Sequence, residues 1–251
     1  MTAYIIACPL VFLAGFIDAL AGGGGLISLP AYMFAGLPAH AAIATNKMSS
    51  SMGTAVATFH YWRQGFMRWN ICLPGVLTAF VGSWCGARLN LFIHEDMLQI
   101  MMLILLPFIA FYVFKSKTLT KESVDEYPLN KTILLCCLIS FCVGIYDGIY
   151  GPGTGTFLML LFTGVCHLSL KDSAGTTKVI NLTTNISALA VFLMHGSVML
   201  PLGIVAGCCN MLGNYIGSHC FTAKGASFVK PVILLVLAVF FVRVVYQVVI
   251  V

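Results

Sequence analysis

The sequence predicts an all-α, polytopic membrane protein made of two repeats with inverted topology, whose helices are broken or re-entrant at glycine-rich motifs. Hydrophobic residues make up 60% of the 251 residues and charged residues only 8%, against about 25% charged in an ordinary soluble domain. Apolar runs of about 20 residues, long enough to cross a bilayer as helices, follow one another along the chain. Two glycine-rich motifs interrupt them at corresponding places.

The repeat is visible as pairs of matching motifs. The stretch "GFIDALAGGGG" corresponds to "GIYDGIYGPGTG", which places Asp18 against Asp147 at a separation of 129 residues. Lys47 corresponds to Lys178 at a separation of 131. One insertion of two residues reconciles both separations, so we interpret the chain as two copies of one unit.

Each copy is predicted to contain five apolar segments. Those of the first copy cover about 4–21, 26–36, 41–60, 71–93 and 97–114, and those of the second 132–150, 154–166, 174–195, 199–221 and 229–251. The second segment of each copy is shorter than the roughly 17–25 residues that a crossing requires, which predicts a broken or re-entrant helix. The predicted division is a first transmembrane repeat at 1–114, a cytoplasmic linker at 115–131 and a second transmembrane repeat at 132–251.

Basic residues in the loops predict that the two copies have opposite orientations. The loop after the third segment contains Arg63 and Arg68 in the first copy and neither lysine nor arginine in the second. The loop after the fourth segment reverses this, with Lys224 and Lys230 in the second copy. Because basic loops tend to be cytoplasmic, equivalent loops are expected on opposite faces of the inner (cytoplasmic) membrane.

The glycine-rich motifs are candidate anion-binding elements. Where a helix breaks inside a membrane, freed backbone amides and the positive ends of half-helices can bind an anion. The candidate substrate-binding residues in these motifs are Gly22, Gly23, Gly24, Gly25, Gly151, Gly153, Thr154 and Gly155. The alternative is that the glycines only allow helices to pack closely.

Two lysines within apolar segments are the leading candidates for substrate contacts. A lysine at the centre of a membrane helix costs about 2.5–3.5 kcal/mol on insertion scales, so it usually marks a pathway or a partner. Lys47 and Lys178 lie in "ATNKMSSSMGTA" and "GTTKVINLTTN", among hydroxyl and amide donors that suit an oxyanion. The candidate donors are Asn46, Ser50, Thr177, Asn181 and Asn185.

Alternatives remain open for the charged residues. Each lysine could instead reach an interface with its long side chain or neutralise Asp18 or Asp147. The two aspartates could couple proton movement to transport, or could clamp the broken helices by pairing with lysine.

The sequence predicts no cofactor, no metal and no nucleic acid partner. The ten cysteines lack CxxC spacing, and the net charge of +5 lies mostly in loops. We find no GxSxG or HExxH motif, so we do not expect an enzyme. The GxxxG spacings Gly82/Gly86 and Gly213/Gly217 could pack the two halves together or two protomers, which leaves a homodimer open.

The motifs "GFIDALAGGGGLISLPAYMFAGLPAHAAIATNK", "GIYDGIYGPGTGTFLMLLF", "KVINLTTN" and "LGNYIGSH" resemble the sulfite exporter TauE/SafE family of membrane transporters over nearly the whole chain. The resemblance implies an inner-membrane carrier of sulfite, sulfoacetate or related anions. It places the family's glycine motifs on 22–25 and 151–155 and its lysine motifs on Lys47 and Lys178. Thr177 departs from the asparagine that members often have before the second lysine.

The expected function is a secondary transporter that moves a small anion by alternating access, with the anion and the lipid bilayer as partners. The alternatives are an anion channel with the same glycine- and lysine-lined site, and a carrier of a short carboxylate.

Overall fold

The computed structural model describes residues 2–94, 96–97 and 127–224, and within these ranges all regular structure is helical. This confirms the predicted all-α, polytopic class. The helices are α1 (Thr2–Ala21), α2 (Gly25–Phe34), α3 (Ala39–Arg63), α4 (Trp69–Asn90), α5 (Leu129–Ile149), α6 (Thr154–Gly164), α7 (Leu170–Met194) and α8 (Leu200–Lys224).

Each of these helices corresponds to one predicted apolar segment, with ends displaced by at most four residues. The helix α5 begins inside the predicted linker at 115–131. The rest of the linker up to residue 126 lies outside the described residues. The predicted fifth segments also lie outside them, at 97–114 apart from Met97 and at 229–251.

Five of the described helices are long and apolar enough to cross a bilayer, namely α1, α4, α5, α7 and α8. The helices α2 and α6 have only 10 and 11 residues, so neither can span about 30 Å of hydrocarbon. The helix α3 has 25 residues, but the polar run around Lys47 lowers its mean hydropathy. That polar run is part of the site described below.

The two halves of the described chain interlock. The first helix of each half packs against the fourth helix of the other, α1 against α8 and α5 against α4. The helix α3 packs against both α7 and α8, and α4 packs against α7. Every helix that carries a candidate site residue therefore contacts the opposite half or a helix that does.

The GxxxG glycines form these contacts between the halves. A Cβ at Gly82 or Gly86 of α4 would overlap the backbone of α5, and a Cβ at Gly213 or Gly217 of α8 would overlap the backbone of α1. Small residues let helix backbones approach closely in membranes. The four glycines that left a homodimer open are thus used inside one chain.

Gly86→Ala is expected to destabilise the protein by about 1–3 kcal/mol, because the new methyl group meets the backbone of Ile145, which cannot move without shifting α5. Gly203→Ala is the matched control, since its Cβ would lie 3.2 Å from the flexible side chain of Met48. Alanine gains up to about 1 kcal/mol in helix propensity. Thermal unfolding in detergent should separate the two variants, and equal melting temperatures would contradict the tight α4–α5 contact.

Candidate functional site

The two glycine-rich breaks meet at the centre of the described structure. The first lies between α1 and α2, where Gly22 has a φ of 72°, and the second between α5 and α6, where Gly151 and Gly153 have φ values of 97° and 79°. Glycine adopts these left-handed conformations without steric cost. A Cβ at Gly22 would overlap the backbone of Gly155, so the breaks touch backbone to backbone.

Hydrogen bonds satisfy the carbonyl groups that the broken helices leave free. The Thr156 amide donates to the Gly22 carbonyl at 3.1 Å, and its hydroxyl donates to the Ala21 carbonyl at 2.8 Å. The Tyr61 hydroxyl donates to the Ala19 carbonyl at 2.8 Å. In the second copy, an asparagine of α4 donates to the carbonyl of the last residue of α5 at 2.6 Å. The carbonyl ends of α1 and α5 are therefore capped by protein groups.

Each buried lysine forms an ion pair with the aspartate of the other half. Lys47 Nζ lies 2.6 Å from Asp147 Oδ2, and Lys178 Nζ lies 2.7 Å from Asp18 Oδ2. Lys178 Nζ also donates to the backbone carbonyl of Asp18. Both lysine side chains are only 2% exposed, so neither extends to a membrane interface. The two pairs join the halves twice, through α3 with α5 and through α7 with α1.

A polar cavity of about 20 Å³, room for about one water molecule, lies between the two breaks. The lining residues come from both halves: Asp18, Gly22, Gly25, Asn46, Lys47, Ser50, Asp147, Gly151, Thr154, Gly155, Asn181 and Asn185. The cavity thus combines a lysine, amides, hydroxyls and glycine backbone in one place, as an oxyanion site requires.

Five of the candidate residues lie beside the cavity without lining it. Lys178 is occupied by its pair with Asp18, and the Thr177 hydroxyl is buried and has no hydrogen-bond partner among the described residues. Gly24 packs against α1, where a Cβ would lie 2.6 Å from the Asp18 Cβ. The remaining two are Gly23, which borders Thr156, and Gly153, which caps α6.

The amide side chains of the cavity have their oxygen atoms occupied. Asn46 Oδ1 accepts a hydrogen bond from the Ser28 hydroxyl at 2.6 Å. Asn185 Oδ1 accepts from Lys47 Nζ at 3.3 Å, while Asn185 Nδ2 donates to Asn181 Oδ1 at 3.4 Å. Asn46 and Asn181 are therefore left with amide N–H groups to offer, which are donors.

Comparison with known proteins decides the family. A family model described as "Sulfite exporter TauE/SafE" matches residues 7–244. The chain belongs to the sulfite exporter TauE/SafE family. The resemblance seen in the motifs is thereby confirmed, and with five described helices of crossing length this TauE/SafE protein is a multi-pass membrane transporter.

Several relatives share nearly the full length of this TauE/SafE chain. The probable membrane transporter protein ORF9 of Sinorhizobium sp is 35% identical over 225 residues, which are 90% of this chain and 85% of that protein. The probable membrane transporter protein YfcA of Escherichia coli strain K12 is 34% identical over 94% of this chain and 87% of its own. A probable membrane transporter protein of Haemophilus influenzae is 30% identical, with coverages of 94% and 92%. No solved structure matches the chain.

The site of this TauE/SafE transporter also contains residues that the motifs did not single out. Thr54 Oγ1 donates to Asp18 Oδ2 at 3.5 Å, and the Ser28 hydroxyl holds the amide of Asn46. The repeat itself contains a signal for Thr54, because the separation of 131 residues that relates the lysines also relates Thr54 to Asn185. Ser28 has no such signal, since hydroxyls are frequent in this part of the chain.

Proposed function

We propose that this protein is a secondary transporter that moves a small anion across the cytoplasmic membrane by alternating access of two inverted repeats. The substrate class is sulfite, an organosulfonate such as sulfoacetate, or a related sulfur-containing or organic anion. The observation that carries the proposal is the polar cavity between the two glycine breaks, where Lys47 and amide donors from both halves converge.

The hydrogen-bonding groups of the cavity favour an anion over a cation. The oxygen atoms of Asn46 and Asn181 already accept hydrogen bonds, so the amides present N–H groups. The helices α2 and α6 begin next to the cavity, and helix N-termini direct unpaired amides and positive partial charge towards it. An oxyanion with several acceptor oxygens fits such a set of donors. The printed family description, which names sulfite, supports the same class.

The size of the cavity and the contacts around it favour a carrier over a channel. The described cavity of about 20 Å³ is too small for a hydrated pathway. The two breaks touch each other, and the Lys47–Asp147 and Lys178–Asp18 pairs bind the halves together. In a carrier, relative rocking of the two repeats would expose the site to one side of the inner membrane at a time.

An anion that binds the folded transporter is expected to raise its melting temperature, since a ligand at about 100 times its Kd stabilises by about 2.7 kcal/mol. The purified protein in detergent would be screened against sulfite, thiosulfate, sulfoacetate, taurine, pyruvate and sulfate. A shift with sulfur oxyanions supports the proposed class, and a shift with pyruvate alone would identify a carrier of short carboxylates. No shift with any of them would contradict the anion site.

Transport in proteoliposomes then separates a carrier from a channel. A carrier exchanges labelled anion against an inside pool of unlabelled anion faster than it produces net flux. A channel instead conducts a steady current under an applied voltage. Current without accelerated exchange would overturn the proposal of alternating access.

A further inference from the structure

The charged groups around the cavity cancel one another. The described residues place two lysines and two aspartates there, in the pairs Lys47–Asp147 and Lys178–Asp18. An anion entering this buried site would leave an uncompensated negative charge, which is costly in a low-dielectric interior. A cation that enters together with the anion would restore neutrality.

Only one of the two ion pairs is open to a substrate. Lys47 lines the cavity, and its ammonium group is held by Asp147 and by the amide oxygen of Asn185. Lys178 does not line the cavity, and it donates to both the carboxylate and the backbone carbonyl of Asp18. An anion that binds Lys47 therefore competes with the carboxylate of Asp147.

Asp147 has a hydrogen-bonding partner suited to both of its protonation states. Thr154 Oγ1 lies 2.7 Å from Asp147 Oδ1 and 2.7 Å from the Gly151 carbonyl oxygen. A hydroxyl has one proton to donate and can also accept. It can donate to the ionised carboxylate, or accept from the protonated carboxyl while donating to the carbonyl. At the separation of 129 residues, the position beside Asp18 that matches Thr154 is Gly25, which has no hydroxyl.

We propose that the transporter binds about one proton with each monovalent anion, and that Asp147 is the group that takes it up. The anion replaces Asp147 on Lys47, the freed carboxylate binds a proton from the aqueous phase, and Lys47 stays cationic. The charge around the cavity is then zero both before and after loading. This inference rests on the proposed function.

The other described groups near Asp147 leave it as the proton acceptor. Lys47 approaches it from α3, and Asp18 across the cavity stays paired with Lys178 from α7. Tyr146 on the same helix donates its hydroxyl proton to the Pro152 carbonyl at 2.6 Å. The helix α6 contributes the Thr154 hydroxyl and α7 contributes amides, neither of which titrates.

The wild-type protein tests the proposal without any variant. Methanesulfonate, isethionate and pyruvate are monoanions that do not titrate near neutral pH, and whichever of them raises the melting temperature serves as the probe. Mixing it with weakly buffered protein should take up about one proton per anion bound, and its affinity should fall about tenfold per pH unit as the pH rises.

The two kinds of failure are distinguishable. Binding without proton uptake would overturn the proton proposal and leave the anion site standing. Binding that requires sodium instead would overturn it as well. If none of the three probes binds, the proposed function fails for monoanions, and the proton proposal fails with it.

The variant Asp147→Asn assigns the proton to its residue. It is expected to bind the probe with no proton uptake and with an affinity that does not change with pH, because the amide imitates the neutral carboxyl. The control Asp172→Asn removes a carboxylate on α7 that lies 4.0 Å from Arg68 and outside the cavity, so its proton uptake should equal that of the wild type. Proton uptake that persists in Asp147→Asn would overturn the assignment.

Discussion

Replacing Lys178 with methionine is expected to destabilise the protein by about 3–5 kcal/mol, because it leaves the Asp18 carboxylate buried without a cation. The pair is 2.7 Å long, and the lysine side chain is only 2% exposed. The same ammonium group also binds the backbone carbonyl of Asp18, close to the end of α1. Its loss therefore also frees a carbonyl at the helix break. Chemical or thermal unfolding in detergent measures the effect.

The double variant Asp18→Asn with Lys178→Met is the matched control. It removes both charges, so no unpaired ion remains in the interior, and it is expected to recover most of the stability lost in the single variant. Such recovery is common when a buried ion pair is replaced as a unit. A single variant as stable as the double one would show that the pair does not hold Asp18 in place.

Gly22→Ala is expected to destabilise the protein by roughly 2–5 kcal/mol, as the sum of two effects. The left-handed φ of 72° costs a non-glycine residue about 1–2 kcal/mol. The added Cβ would also overlap the backbone of Gly155, and such overpacking costs about 1–3 kcal/mol more. Folded yield and the melting temperature in detergent measure the loss.

Gly36→Ala separates the two effects. Gly36 has a φ of 92°, but a Cβ there would meet nothing within 4 Å. It is therefore expected to show the backbone cost alone and to remain more stable than Gly22→Ala. Equal losses in the two variants would contradict the close approach of the two glycine breaks.

The helices could be predicted from the sequence because length and apolar composition decide them. The segment predicted at 154–166 is α6 at Thr154–Gly164, and the one predicted at 41–60 is α3 at Ala39–Arg63. Their ends differ because helix propensity continues past the apolar run, as in the turn that contains Arg63. The inverted orientation of the two halves stays a prediction.

The pairing of the charges could be predicted only in part. Neutralisation of the lysines by the aspartates was one of two open alternatives, but the sequence does not tell which aspartate each lysine meets. The pairs join residues 100 and 160 positions apart, Lys47 with Asp147 and Asp18 with Lys178. Such contacts depend on how α3 and α7 cross between the halves, and the periodicity of a single helix contains no information about that crossing.

The difference between the two copies could not be predicted from the repeat. A perfect repeat would place both lysines in equivalent positions, yet Lys47 lines the cavity and Lys178 does not. One local cause is that Thr154 takes the place that Gly25 has in the first copy, which adds a hydroxyl beside Asp147 only. Whether the lining residues bind an anion stays a prediction.

The affinity of the anion selected by the thermal screen, measured in two charge-matched double variants, tests the central claim most directly. Lys47→Met with Asp147→Asn removes the cation that lines the cavity and keeps the site neutral. Its affinity is predicted to fall about 10- to 100-fold, as expected for the loss of a hydrogen bond to a charged group worth about 1.5–3 kcal/mol. Lys178→Met with Asp18→Asn, which removes the pair whose lysine lies off the cavity, is predicted to lose clearly less. Wild-type affinity in the first variant, or an equal loss in both, would contradict an anion site at Lys47.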